Sequence, residues 1–346
     1  MRKLSLLVVC ALLASSPSAA GQTVEQFYKG KTINFLVAAV AGGINDLMAR
    51  LISRHMGRHI PGNPGFVVQN LQSGGLVLAN RMYSGAEKDG TAIAILERAT
   101  PQLAVQGVSN VKFDPLKFNW LGSVSSYADD SYVLWVNAGF PAKSVADLRK
   151  PDAPPLRIGT TAAGATNGVF TMITKDVLGL HSIQNVRGYR GAAAVFLAQQ
   201  RGEVDGQVVG HSAIKVGQKA LYAAGAFRPL IQFARTTRSP ELPDTPIGRE
   251  LTKDPKALAL LSFAEAPFFM ALPVVAPPGL PADRAKALQD AFMAMTRDPV
   301  FVAEIRKMGQ DLSPIDGEAV RRIIMQMGET PKEVIAQFNA IVGVKH

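Results

Sequence analysis

Four short stretches of this 346-residue chain could hold an anion largely with backbone. The first is Val40-Ala41-Gly42-Gly43-Ile44, the second Ser73-Gly74-Gly75, the third Thr160 to Asn167, and the fourth Gly188-Tyr189-Arg190. Each stands between a β-rich apolar run and a helical one. A helix N-terminus presents unpaired N–H donors and a partial positive charge. A carboxylate can sit there when no bulky side chain bars its approach. Val40, Gly42 and Gly43 leave the first corner open, and the third adds hydroxyls from Thr160, Thr161 and Thr166. Tight packing of helix on sheet favours the same small residues. Four such corners at matching places favour anion seats.

The charged side chains near these corners admit two readings each. Arg98 follows a strand and could meet a carboxylate in fork geometry, or pair with Glu97. Arg190, in the fourth corner, is a second such candidate. Asp46 would repel an anion, so it either braces the first corner or receives a ligand hydroxyl or amine. Asp205, beside Gly206, is a turn former or a ligand contact. Tyr127, Tyr132 and Tyr189 could line an aromatic ligand or fill the core.

Catalytic patterns are poor. His55 and His59 are spaced to share a metal on one helix face, but Met56 stands where the glutamate of H-E-x-x-H belongs. Gly210-His211-Ser212-Ala213-Ile214 lacks the closing glycine of a nucleophile elbow, and Ser212 to Lys215 matches S-x-x-K without its partner motifs. Gly159 to Gly164 has the spacing of a phosphate loop, with Ala165 in place of its lysine. No catalytic residue, metal or cofactor is expected.

The elements that must position these residues follow one order. "TINFLVAAV", Phe66 to Asn70 and Thr91 to Leu96 read as strands, separated by helical stretches with Leu47, Leu51 and Ile52 on one face. Strand, corner and helix recur from "PLRIGTT" to "VDGQVVG". "KDGTAIAI" and "VDGQVV" take the same place in each half. Extended stretches at Leu121 to Asn137 and Phe268 to Pro281 could carry the chain from one half to the other and back. The tail is helical. Ser144/Asp147 and Thr330/Glu333 suggest capping boxes, Asp298-Pro299 a helix start, and Val334, Ile335, Phe338, Ile341 and Val342 an apolar face. The expectation is an α/β fold of two lobes, each a mostly parallel sheet flanked by helices, with lobe 1 at 21–128 and 270–346 and lobe 2 at 129–269. Ligands in such sheets bind beyond the carboxyl ends of the strands.

Composition agrees with a small anionic ligand. The chain is 47% hydrophobic, 18% charged and formally +10, with no Lys/Arg run longer than two residues, unlike a nucleic-acid-binding stripe. Arg2, Lys3 and the apolar run Leu4 to Leu13 read as a signal peptide, residues 1–20, with cleavage after Ala20 and export to the periplasm. Removing Arg2 and Lys3 lowers the formal charge by two, from +10 to +8. Cleavage also removes Cys10, the sole cysteine.

The stretches "FYKGKTINFLVA…AGGINDLMARLISRHMGRHIPGNPGFVVQN", "KDGTAIAIL", "RGEVDG", "RSPELPDTPIGREL", "VAPPGLPADRAKAL" and "DPVFVAEIRKMG" together resemble the periplasmic solute-binding proteins of tripartite tricarboxylate transporters, the TctC or Bug family. The resemblance implies a Venus-flytrap periplasmic binding protein fold, a carboxylate ligand, and a two-subunit integral membrane permease as partner. It also implies ligand contacts at Val40, Gly42, Gly43 and Asp46; at Ser73, Gly74 and Gly75; at Thr160, Thr161, Thr166 and Asn167; and at Gly188, Tyr189 and Arg190. The corners depart from the proline- and serine-rich forms of many relatives, so the choice of carboxylate does not transfer. A monomer is expected. Presentation of the ligand to a membrane sensor is an alternative, and an exported hydrolase using Ser212 a reading of another class.

Overall fold

The computed structural model describes residues 22–71, 74–161 and 164–343. The expected signal peptide with Cys10, and Ser73 of the second corner, lie outside the described residues.

Eleven strands appear among the described residues: β1 Thr32–Val37, β2 Gly65–Asn70, β3 Ala92–Ile95, β4 Asn119–Ser123, β5 Tyr132–Asn137, β6 Leu156–Thr160, β7 Ile183–Arg187, β8 Gly206–Gly210, β9 Phe227–Phe233, β10 Pro273–Ala276 and β11 Ile315–Asp316. They form two sheets, in the orders β11-β4-β10-β3-β1-β2 and β7-β6-β8-β5-β9. Strand β1 pairs in parallel with β2 and β3, and β6 with β7 and β8. β10 runs antiparallel between β3 and β4, and β5 antiparallel between β8 and β9. In each lobe four strands run one way; β10 and the short β11 oppose them in the first sheet, and β5 alone in the second. β3 and β8, the matching "DG" segments, occupy equivalent positions beside β1 and β6.

The central strands are apolar runs because both faces are covered. Ile33, Phe35 and Val37 of β1 and all four residues of β3 are buried. The helix Ile44–Met56 turns Met48, Leu51 and Ile52 onto this sheet. Leu47, expected on that face, is 43% exposed, and Met48 takes its place. Ser144 and Asp147 form their capping box, and Asp298 caps the helix Pro299–Lys307. The box at Thr330 and Glu333 does not form. The Thr330 amide is bonded back to Met327 at the end of the preceding helix, and the last helix, Lys332–Val342, starts from Pro331. Its apolar face stands as read: Val334 and Phe338 are buried, with Phe338 edge-on to Phe263 of the helix Pro255–Glu265.

The chain passes between the sheets at residues 124–131 and returns through 234–272. Side chains pin the first passage. Ser125 Oγ donates to Asp311 at 2.5 Å, and the amides of Ser126 and Ala128 donate to Ser313 Oγ. Arg235, from the return, donates to the carbonyls of Ala128 and Asp130, both at 2.8 Å.

The return is anchored by Glu265, which has no exposed surface. Its Oε2 accepts from Arg249 Nη2 at 2.6 Å and Nε at 2.9 Å, and its Oε1 from the Ala234 amide at 3.1 Å. Removing one partner of a buried ion pair leaves an uncompensated charge. Arg249→Met is expected to cost about 3–5 kcal/mol in urea unfolding, and Arg249→Met/Glu265→Leu to recover most of it. Burial already pushes Glu265 above the usual carboxylate range. In the single variant the folded state therefore binds a proton more readily than the unfolded chain. The penalty is full at neutral pH and shrinks as pH falls toward the ordinary glutamate range. A loss independent of pH would contradict this role.

Candidate ligand-binding site

The first corner is built around Asp46. Gly42 adopts φ +82, a left-handed conformation that favours glycine, and its amide donates to Asp46 Oδ2 at 2.8 Å. Asn70 Nδ2 donates to Oδ1 at 2.9 Å, and Arg50 Nε to Oδ2 at 3.2 Å. Asp46 is 2% exposed. Burial alone would raise its pKa, but the bonds from Arg50, Gly42 and Asn70 outweigh burial and hold it below the usual range. Asp46 is thus a brace. Gly43 bonds back to Val40 and caps the helix, whose first intrahelical bond outside the corner is Leu47 N–H to Gly43. Ile44 and Asn45, in the unpaired first turn, line the space between the lobes. Val40 is 71% exposed at the rim.

The third corner repeats this plan with a neutral brace. Asn167 Oδ1 accepts from Thr161 Oγ1 at 3.0 Å and from the Gly168 amide at 2.9 Å. Thr160 is fully buried, and its hydroxyl donates to Asn185 on β7 at 2.6 Å. Thr166 alone of the three threonines lines the interlobe space.

Asp205 and the residues of the fourth corner lie away from the cavity. Asp205 precedes β8, at the end of the sheet opposite the corners. It accepts from Arg157 Nε at 2.9 Å, Nη2 at 2.7 Å and the Arg157 amide at 2.9 Å. It is a structural ion pair. In the fourth corner the Gly188 and Tyr189 amides are bonded to the carbonyls of Thr161 and Thr160. The Tyr189 ring packs with Val195, Ala198 and Val204 in the second lobe, and Arg190 is exposed. None of these three residues lines the cavity between the lobes.

That cavity measures about 390 Å³. Ile44, Asn45, Glu97 and Arg98 face it from the first lobe, Thr166 and Ser212 from the second, and Ser125, Tyr127 and Asp130 from the first passage. Arg98 reaches across to Thr166 Oγ1 at 3.3 Å, and its guanidinium carbon lies 3.9 Å from the centre of the Phe268 ring. Among the described residues it forms no ion pair. Its neighbour Glu97 turns instead toward Gly75 at the start of the helix Gly74–Ser84. A Cβ added to Gly75 would lie 3.1 Å from the Glu97 carboxyl carbon. Burial pushes Glu97 above the usual carboxylate range.

The other acids on the wall are already satisfied. Asp130 accepts from the amides of Ser131 at 2.8 Å and Ser212 at 3.1 Å, and from Ser212 Oγ at 2.5 Å. Asp311 accepts from Ser125 and Ser313, both at 2.5 Å. Arg98 is the wall's cation without an ion pair among the described residues, and the natural partner of an anion entering between the lobes.

The catalytic patterns read from the sequence do not come together among the described residues. No histidine is hydrogen-bonded to Ser212 among the described residues. His211 lies 2.7 Å from the Tyr222 hydroxyl, and burial, aided by Lys215, lowers its pKa to about 4. His55 and His59 are engaged with Glu304 and Asp298 on the helix Pro299–Lys307. The reading from sequence missed Asn45, Asp130 and the cavity-lining role of the first passage. The passage was visible as an extended stretch, but a hinge and a pocket wall share that signature.

The brace makes a stability prediction. Asp46→Ala leaves the amides of Gly42 and Asn70 without their acceptor, and the expected loss is about 1–3 kcal/mol in urea unfolding. An unchanged midpoint would return Asp46 to the role of a ligand group.

Comparison with known proteins agrees with the geometry. The Tripartite tricarboxylate transporter family receptor, TctC, matches residues 48–340. No curated protein sequence matches. A TctC solute binding protein from Polaromonas has a similar structure, with TM-score 0.67 and 17% identity over 91% of this chain and 99% of that one. MatC from Rhodopseudomonas palustris, with bound malate, has TM-score 0.55 and 19% identity, covering 90% of this chain and 99% of its own. Another R. palustris protein, with adipate, has TM-score 0.59 and 20% identity, covering 91% and 98%. Members of the matched family are binding proteins and not enzymes. The chain belongs to the TctC family of tripartite tricarboxylate transporter receptors.

Proposed function

We propose that the protein captures an organic carboxylate between its lobes in the periplasm and delivers it to a two-subunit membrane permease. The observation that carries this reading is Arg98, an un-ion-paired guanidinium on the cavity wall among the described residues, facing the first turn of the helix Ile44–Met56. A carboxylate there gains a bidentate partner and helix-end amides together. Malate and adipate in relatives of the same fold support the ligand class. Among the described residues no helix is long and apolar enough to cross a membrane, so a separate membrane partner would carry out translocation. The lobes divide near 128/129 and 269/270, with hinges at Ser125–Tyr132 and Phe268–Pro273. Closure joins the two sets of contacts, and the closed form is what the permease reads.

A thermal-shift screen of mono-, di- and tricarboxylic acids should find at least one stabiliser. For that acid, Arg98→Met should weaken binding about ten- to hundredfold in calorimetry, the equivalent of about 1.5–3 kcal/mol for a charge-assisted bond. Stabilisation by sugars or amines alone, or unchanged affinity in a folded Arg98→Met protein, would sink the assignment.

A further inference from the structure

Arg98, Ala99 and Thr166 line two cavities at once. Behind them, away from the polar cavity, lies a chamber of about 280 Å³ walled mainly by Leu103, Val169, Phe170, Phe268, Phe338 and Val342. These residues come from both lobes and from the last helix. An apolar cavity of roughly 150 Å³ is enough for benzene, so this chamber holds a ring or a chain of several carbons. It touches two glutamines. Gln102 Nε2 donates to the Phe263 carbonyl at 2.6 Å. Gln106, 6% exposed, has its side-chain oxygen buried with no hydrogen-bond partner. A buried acceptor without a donor calls for an explanation. A ligand hydroxyl supplies one when the carboxamide, closed off from the chamber here, turns toward it, and it suits either orientation of the carboxamide.

We propose that the chamber is the subsite for the body of the cargo: a monocarboxylate whose carboxylate meets Arg98, whose apolar chain or ring fills the chamber, and whose far end carries a hydroxyl for Gln106. This rests on the reading that a carboxylate docks at Arg98. A dicarboxylate or tricarboxylate of the same length would drive a second charge among the phenylalanines, where an ion is strongly disfavoured. The selectivity is therefore against multiply charged acids.

The test is calorimetry with straight-chain monocarboxylates from acetate to octanoate, and with the ω-hydroxy acids from four to eight carbons. Affinity is expected to rise about three- to fourfold per methylene until the chamber is full. At the best-fitting length the hydroxy acid should bind about three- to tenfold tighter than the plain acid. Gln106→Leu should abolish that preference and favour the plain acid, since its side chain has nearly the same size and no polar group. Affinity flat with chain length, with malate or citrate strongest, would overturn the subsite while leaving carboxylate capture standing. A hydroxyl that gains nothing at any length, or a gain that survives Gln106→Leu, would overturn the part given to Gln106. Failure of every carboxylate to bind would overturn both readings together.

Discussion

Arg98 stands half-buried between the lobes with no counter-ion among the described residues, which leaves its charge open to an anion from solution. Arg98 is kept there by two weak substitutes. The face of Phe268 lies 3.9 Å from its Cζ, and the Thr166 hydroxyl accepts one of its five N–H donors at 3.3 Å. The nearest acid in sequence, Glu97, lines the same cavity and lies against Gly75, but forms no ion pair with Arg98 among the described residues. Most of the site can be understood as consequences of keeping this charge both fixed and unpaired. Asp130 and Asp311 stand on the same wall, yet serines and backbone amides take up their oxygens. An anion from solution then completes an interaction that the protein leaves open.

The corners obey a related constraint. A strand-to-helix turn that offers its amides to a ligand cannot be left loose, since each mobile group adds an ordering cost to binding. The protein ties each first corner with one side chain from the following helix. In the first lobe it is Asp46, which holds the Gly42 amide, Asn70 and Arg50. In the second it is Asn167, which holds Thr161 and Gly168. The charged brace sits beside a helix N-terminus, where a negative charge is favoured. The neutral brace lies in the lobe that receives the Arg98 guanidinium, so no resident carboxylate competes with cargo for that cation.

The first sheet's parallel strands were legible in the sequence, although β1 ends at Val37, three residues short of the run read for it, and β9 and β11 were not read as strands. β1, β2 and β3 are short β-rich runs bounded by turn residues, and their length and β-branched content, not a period, mark them as strands. The internal duplication was legible as well, because an Asp-Gly pair stands at the start of both β3 and β8. The site was legible only in part. Corners were found by their small residues, yet small residues mark backbone approach without saying which corner faces the other lobe. The fourth corner turns its amides to the third, and Tyr189 faces its own sheet. The partner of Asp205 was hidden for another reason: its ion pair with Arg157 depends on the parallel register of β6 and β8, which only pairing reveals. Leu47 shows the limit of helical spacing, where a one-residue rotation exchanges it with Met48. The apolar chamber joins residues from Arg98 to Val342, and no local pattern could have assembled it.

The most direct measurement is a crystal structure of the protein with a bound monocarboxylate. The account places the carboxylate oxygens at about 2.8 Å from the Arg98 guanidinium, beside the first turn of the helix Ile44–Met56, with the contact to Thr166 loosened or shared. A carboxylate seated on Arg190 and the fourth corner, with Arg98 still bonded to Thr166 alone, would contradict it.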